Sequence, residues 1–84
     1  MSYFIRIKQS AIKVLEKMPR EVRLRIITAI DLLKDNPAAG GVLKGEFSGL
    51  RRIRIGNYRV VYEVQDQELV VLVIRIGHRR DVYR

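Results

Sequence analysis

The chain has 84 residues, one histidine and no cysteine, which excludes a disulfide framework, a thiolate centre and a multi-histidine metal site. Seventeen Lys and Arg against nine Asp and Glu leave it at +8, and 48% of its residues are hydrophobic, so residues 1–84 read as one small globular domain with a polyanionic partner. Its longest apolar run, Leu69 to Ile74, falls far short of the ~20 residues a bilayer span requires, and no apolar stretch precedes Arg6 and Lys8; the expectation is a cytoplasmic protein with no signal peptide and no membrane contact.

Tyr3-Phe4-Ile5-Arg6-Ile7-Lys8 begins to alternate and predicts a short first strand. Ser10 offers a helix cap. Ala11, Val14, Leu15 and Met18 then share one helical face. Pro19 stops that helix and suits the first turn of the next. Val22, Ile26, Ala29, Ile30 and Leu33 form the stripe of a second helix, which the spacing carries to about Asn36, where Asn36-Pro37 ends it. The two helices form a hairpin. From Pro37 to Gly49 the Gly- and Ala-rich chain reads as a loop.

Three strands follow: Arg51 to Ile55, Tyr58 to Val64 and Leu69 to Ile76. Gly56-Asn57 is a two-residue hairpin signal, and Gln65 to Glu68 makes the next turn. Gly77 is expected to end the last strand, leaving His78 to Arg84 as a tail. The fold class is therefore α+β: a strand, a helical hairpin and an antiparallel three-strand meander, with the helices on one face of the sheet.

Strict alternation assigns Ile53, Ile55, Tyr58, Val60, Tyr62, Val64, Val70, Leu72, Ile74 and Ile76 to the face under the helices. The opposite parity collects Arg52, Arg54, Arg59, Val61, Glu63, Val71, Val73 and Arg75, a valine floor ringed by arginines. The charge is even along the chain, at +4 in residues 1–42 and +4 in residues 43–84, yet eight of the twelve arginines lie in the second half. Arginine's rigid, always-charged fork matches phosphate geometry, so phosphate chemistry is sought there.

The run Tyr58-Arg59-Val60-Val61-Tyr62-Glu63-Val64, followed by Val70 to Ile76 and Gly77-His78-Arg79-Arg80-Asp81-Val82-Tyr83, resembles the RelE/ParE superfamily of toxins from type II toxin–antitoxin modules. Leu43-Lys44-Gly45 and Leu50-Arg51-Arg52-Ile53-Arg54 match the segment that leads into its sheet. The order of elements fits over the whole chain. For RelE-type members the resemblance implies an mRNA interferase: a metal-independent endoribonuclease that cuts mRNA in the ribosomal A site and is neutralised by an acidic antitoxin. It implies no cofactor, and ribosome (rRNA), mRNA and antitoxin as partners. Arg52 and Arg54 fall where that family has two lysines, Arg59 matches its strand arginine, Arg79 the arginine after the terminal glycine, and Tyr83 its terminal tyrosine. These five are the catalytic candidates; Lys44, Arg51, Arg75, His78 and Arg80 are further RNA-binding candidates. ParE-type members share the fold and inhibit DNA gyrase.

RNA cleavage by its own 2′-oxygen needs a base for the 2′-hydroxyl, charge stabilisation on the phosphate and protonation of the 5′-oxygen. A tyrosine, with an ordinary pKa of about 10, is a poor base near neutrality, and surrounding arginines would favour its phenolate. That role suits Tyr83, with Arg79 acting on transition-state charge and His78 as an alternative acid. Each residue also has a structural role to set beside this one. Arg52 and Arg54 alone read as the solvated side of an amphipathic strand, Arg59 as a partner of Glu63 or Glu68, Tyr83 as sheet-edge packing, and Tyr58 and Tyr62 as core.

Overall fold

The computed structural model describes residues 2–78. Strand β1 is Phe4–Ile7, helix α1 Gln9–Glu16, helix α2 Arg20–Leu32, strand β2 Gly41–Val42, strand β3 Arg51–Ile55, strand β4 Tyr58–Gln65 and strand β5 Val70–His78. Short 3-10 turns at Pro37–Ala39 and Gly45–Phe47 flank β2. The sheet runs β1-β5-β4-β3-β2, with β1 parallel to β5 and every other neighbour antiparallel. The α+β class and the helices on one face agree with the sequence; the mixed, five-stranded sheet is wider than the expected meander.

The helices form where their apolar stripes can be buried. Ala11, Leu15 and Met18 from the first, and Ile26, Ile30 and Leu33 from the second and its last turn, meet Val60, Tyr62, Val71, Val73 and Ile76 in one core. Ile26, Ile30 and Leu33 are at most 2% exposed, so trimming any one to alanine costs about 2–5 kcal/mol. Ser10 is not the cap: the helix starts at Gln9, two residues earlier than a Ser10 cap would place it, with Lys8 in the cap position and no side-chain capping bond. Pro19 is the cap residue of α2, its carbonyl accepting the Arg23 N–H. That helix stops at Leu32 rather than Asn36, and tight turns closed by Leu33 N–H to Ile30 O and Lys34 N–H to Asp31 O take over.

Gly56 takes a positive φ of 59°, as the first central position of a primed two-residue hairpin requires, and the β3–β4 turn forms as expected. The segment between Pro37 and Gly49 holds an unexpected element. Gly41 and Val42 pair with Arg52 and Arg51 and make β2 the sheet's far edge.

The assigned faces of β5 need correction. Val61 pairs with Arg75 and Tyr62 with Val73, so the ladder skips Ile74 in a β-bulge. One extra residue reverses the alternation beyond it. Ile76 faces the helices as expected, but so do Val71 and Val73, while Val70 and Leu72 turn to the other side. The valine floor therefore consists of Val61 with Val70 and Leu72. Nor does Gly77 end the strand: it pairs with Arg59, and β5 continues to His78. None of the described helices is long and apolar enough to cross a membrane.

Candidate functional site

The sheet face away from the helices follows from the register. Its top row is Arg54, Arg59 and Gly77, and the next is Arg52, Val61 and Arg75. Below these lie Glu63, Leu72 and Arg6, then Gln65, Val70 and Phe4. Arg54 and Arg59 are direct cross-strand partners, which sets their Cβ atoms roughly 5 Å apart. Like charges placed this way destabilise a sheet by a few tenths of a kcal/mol or more, a cost that a bound anion would offset. Arg54 and Arg75 are exposed, while Arg52 and Arg59 are half-buried. The Arg59 Nε is buried and has no hydrogen-bond partner. That N–H is already desolvated and unsatisfied, so a shift of the Arg59 side chain toward an anion would give it a charge-assisted bond. Among the described strand residues, Glu63 is the one carboxylate on this face, and it accepts a 2.8 Å hydrogen bond from the Gln65 side chain.

Four of the sequence candidates, Arg52, Arg54, Arg59 and Arg75, thus converge on one side. Three others lie elsewhere. Arg51 faces the helix side, where its Nη1 donates to the Gly40 carbonyl at 2.8 Å. His78 pairs with Tyr58 on the helix-side parity, and the two rings meet edge-on with centroids 6.0 Å apart. Lys44 is exposed beside the Gly45–Phe47 turn. Arg79, Arg80 and Tyr83 lie outside the described residues. Among those described, no three His, Cys, Asp or Glu side chains gather as a metal site would require.

Two features escaped the sequence. The parallel pairing of Arg6 with Leu72 brings a fifth arginine to the face. Its signal was the Phe-Ile-Arg-Ile alternation, but nothing local says which strand β1 joins. The second feature is a latch beneath the site. Tyr62 is wholly buried; its hydroxyl donates to the Pro37 carbonyl at 2.7 Å and accepts the Gly40 N–H at 2.9 Å. Burial pushes the Tyr62 phenol above its ordinary pKa, against the smaller opposing effects of the Gly40 N–H and the Arg51 charge. Gly40 fits so closely that a Cβ there would lie 2.6 Å from the Arg52 carbonyl oxygen and 2.7 Å from the Tyr62 hydroxyl. The latch therefore seats the Pro37–Gly40 segment against the backbone that carries Arg52.

The other side of the molecule has a groove of about 500 Å³ between α2 and β3, lined by Ala29, Leu32, Leu33 and Ile53, with Arg54 on its rim. It runs on past Ala29 and Leu32 into a second apolar hollow beside Leu24, Arg25 and Ile55. Leu32 is 65% exposed and Leu24 49%.

Three comparisons bear on this arrangement. The family described as ParE toxin of type II toxin–antitoxin system, parDE, matches residues 5–83. Toxin RelG of Mycobacterium tuberculosis is 30% identical over 86 aligned positions, covering 100% of this chain and 99% of the relative. Among solved structures, a RelBE toxin–antitoxin complex from Mycobacterium tuberculosis superposes with a TM-score of 0.85 at 28% identity, over 94% of this chain and 100% of that one. The RelE–RelB complex of Pyrococcus horikoshii gives 0.80 at 28% identity, over 98% of this chain and 100% of the other.

Proposed function

The chain belongs to the RelE/ParE superfamily of type II toxin–antitoxin toxins, and we propose that within it this protein is a ribosome-dependent endoribonuclease that cuts mRNA in the A site. The observation that carries this reading is the face-to-face pair Arg54 and Arg59, with Arg52 and Arg75 in the next row. A protein that only inhibits another protein by contact has no need of four converging guanidinium groups with one Nε already desolvated. In the proposed reaction the 2′-oxygen attacks the neighbouring phosphorus and the bond to the 5′-oxygen breaks. The products are a 2′,3′-cyclic phosphate and a free 5′-hydroxyl. The 2′-hydroxyl proton passes to a base, assigned to Tyr83, and the departing 5′-oxygen takes up a proton from water, because His78 sits on the helix-side parity, away from the arginine rows. Arg52, Arg54, Arg59 and Arg79 hold the phosphate oxygens and stabilise the added negative charge of the pentavalent transition state. The ribosome supplies most of the docking surface, and the +8 charge makes association fall with salt. The test is induced expression of wild type beside Tyr83→Phe, with transcript ends mapped. New 5′ ends inside translated codons should appear with wild type only; their absence with wild type refutes the reading.

The match to the ParE family favours a second reading, a non-nucleolytic inhibitor of DNA gyrase. A supercoiling assay separates the two, since loss of supercoiling that survives Tyr83→Phe and Arg59→Ala belongs to the second alone. On either reading the partner is a cognate acidic antitoxin, in keeping with the toxin–antitoxin complexes among the structural neighbours. An amphipathic antitoxin segment suits the α2–β3 groove: Leu32 and Leu24 take its apolar side, and Arg25 and Arg54 take its carboxylates. Arg54 belongs to both the groove and the arginine face, so an occupant of the groove weakens the positive field without filling the site.

A further inference from the structure

The arginine rows do not end at β5. The parallel register continues the same face onto β1, where Arg6 and Phe4 follow each other at a two-residue spacing. Ile5 and Ile7 pack against the core, so Phe4 and Arg6 point the other way. Phe4 is 70% exposed, more than any other large hydrophobic residue described, and among the described strand residues it is the one aromatic on this face. An exposed phenylalanine on an edge strand adds little to folding and invites aggregation, so its position asks for a role. From Arg75 to Arg6, and from Arg6 to Phe4, strand spacing and rise give steps of about 7–8 Å. Glu63 sits on β4 with Leu72 between it and Arg6, so the negative charge lies to one side of this line.

From this juxtaposition we propose that β1 is a second part of the RNA-binding surface, with Arg6 holding a backbone phosphate and Phe4 stacking an unpaired base beyond the arginine rows. The inference rests on the reading of the arginine face as an RNA site. A cationic track ending in an aromatic platform is the combination that binds single strands without regard to sequence. It would anchor the message on the side of the cleaved nucleotide away from Arg54 and Arg59, and lengthen the RNA segment the protein itself grips.

The experiment uses a short and a longer fluorescent RNA, both 2′-O-methylated throughout so that neither can be cut, with binding read by anisotropy across a salt series. Thermal melts should show Phe4→Ala and Arg6→Gln folded like wild type. For the longer RNA, Phe4→Ala should weaken binding about tenfold, the ordinary worth of one stacked base, and leave the salt slope unchanged. Arg6→Gln should flatten the slope of log K against log salt by about 0.7, one phosphate contact to a single strand. The short RNA, which spans only the arginine rows, should be indifferent to Phe4→Ala and sensitive to Arg59→Ala. If Arg59→Ala weakens the longer RNA but neither β1 variant does, this inference fails and the functional reading stands. If no variant weakens it, or wild type does not bind, this inference fails, and the functional reading is decided separately by the transcript ends, since the ribosome supplies most of its docking surface. If the β1 variants lose affinity for the antitoxin and not for RNA, that face belongs to the protein partner and the inference is overturned.

Discussion

Replacing Tyr62 by phenylalanine removes one oxygen atom and leaves a ring of nearly the same shape in a fully buried site. Two hydrogen bonds go with it, to the Pro37 carbonyl at 2.7 Å and from the Gly40 N–H at 2.9 Å. The two losses are unequal. The bond to Pro37 is only part-buried, so its carbonyl can turn to water and the cost is that of an ordinary bond, about 1 kcal/mol. The bond from Gly40 is buried, so its N–H is left without a partner at about 1–3 kcal/mol. Together they amount to about 2–4 kcal/mol. For a domain of this size that lowers the melting temperature by roughly 10–25 °C. Urea unfolding near neutral pH should show an earlier midpoint with an unchanged slope, because the surface exposed on unfolding stays the same. A loss below about 0.5 kcal/mol would refute the latch as a structural element. The same variant should lose RNA cleavage more steeply than stability, since the latch seats the backbone of Arg52; cleavage equal to wild type at a temperature where both are folded would refute that part.

Alkaline titration should report the same phenol. Burial raises the Tyr62 pKa above its unfolded value of about 10, so its contribution to stability is complete below that pH and is lost as the pH rises through the folded value; the Tyr62→Phe variant should lack this part of the alkaline decline in urea titrations. Arg54→Gln should relieve the like-charge pair with Arg59, raising stability by a few tenths of a kcal/mol while slowing cleavage at least tenfold, measured by thermal melts and by cuts in a reconstituted ribosome assay. Removing Ile74 should leave a native near-ultraviolet circular dichroism spectrum, because Val73 and Arg75 then oppose Tyr62 and Val61 in an unbulged ladder with Val71 and Val73 still under the helices; loss of that spectrum would refute Ile74 as the extra residue. Leu32→Glu, in the apolar groove, should weaken antitoxin capture at least tenfold in a pull-down with little change in the melting temperature of the free toxin.

The parts of the fold that could be read locally were read well. The stripes Ala11-Leu15-Met18 and Ile26-Ile30-Leu33 are periodic and end up buried, and Gly56-Asn57 carries its own turn chemistry. The misreadings share one cause, the choice of partner. Val70 to Ile76 is apolar at every position except Arg75, so no polar residue reveals where the alternation breaks, and the bulge at Ile74 exists only against β4. Gly41 and Val42 are too few to announce a strand; they form one because Gly40 can lie against the Arg52 carbonyl. Ser10 has the chemistry of a cap, yet the chain leaving β1 turns at Lys8, whose N–H is held by the Val73 carbonyl. The arginines of β3 and β4 were found because both strands alternate around a recognisable hairpin. Arg6 was missed because its neighbour on the face comes from the far end of the described chain.

That last pairing has a kinetic side. Phe4 to Ile7 lie beside Val70 to Val73, so the first strand made has no place in the sheet until the last has been added. The helices are in the same position, because Val71, Val73 and Ile76 form part of the surface they cover. High contact order of this kind slows folding and leaves apolar helix faces open in the meantime. A nascent chain would therefore stay inert until Val70 to Val73 had been made. A partner able to shelter the helices during that interval would meet the toxin before the arginine face had been assembled.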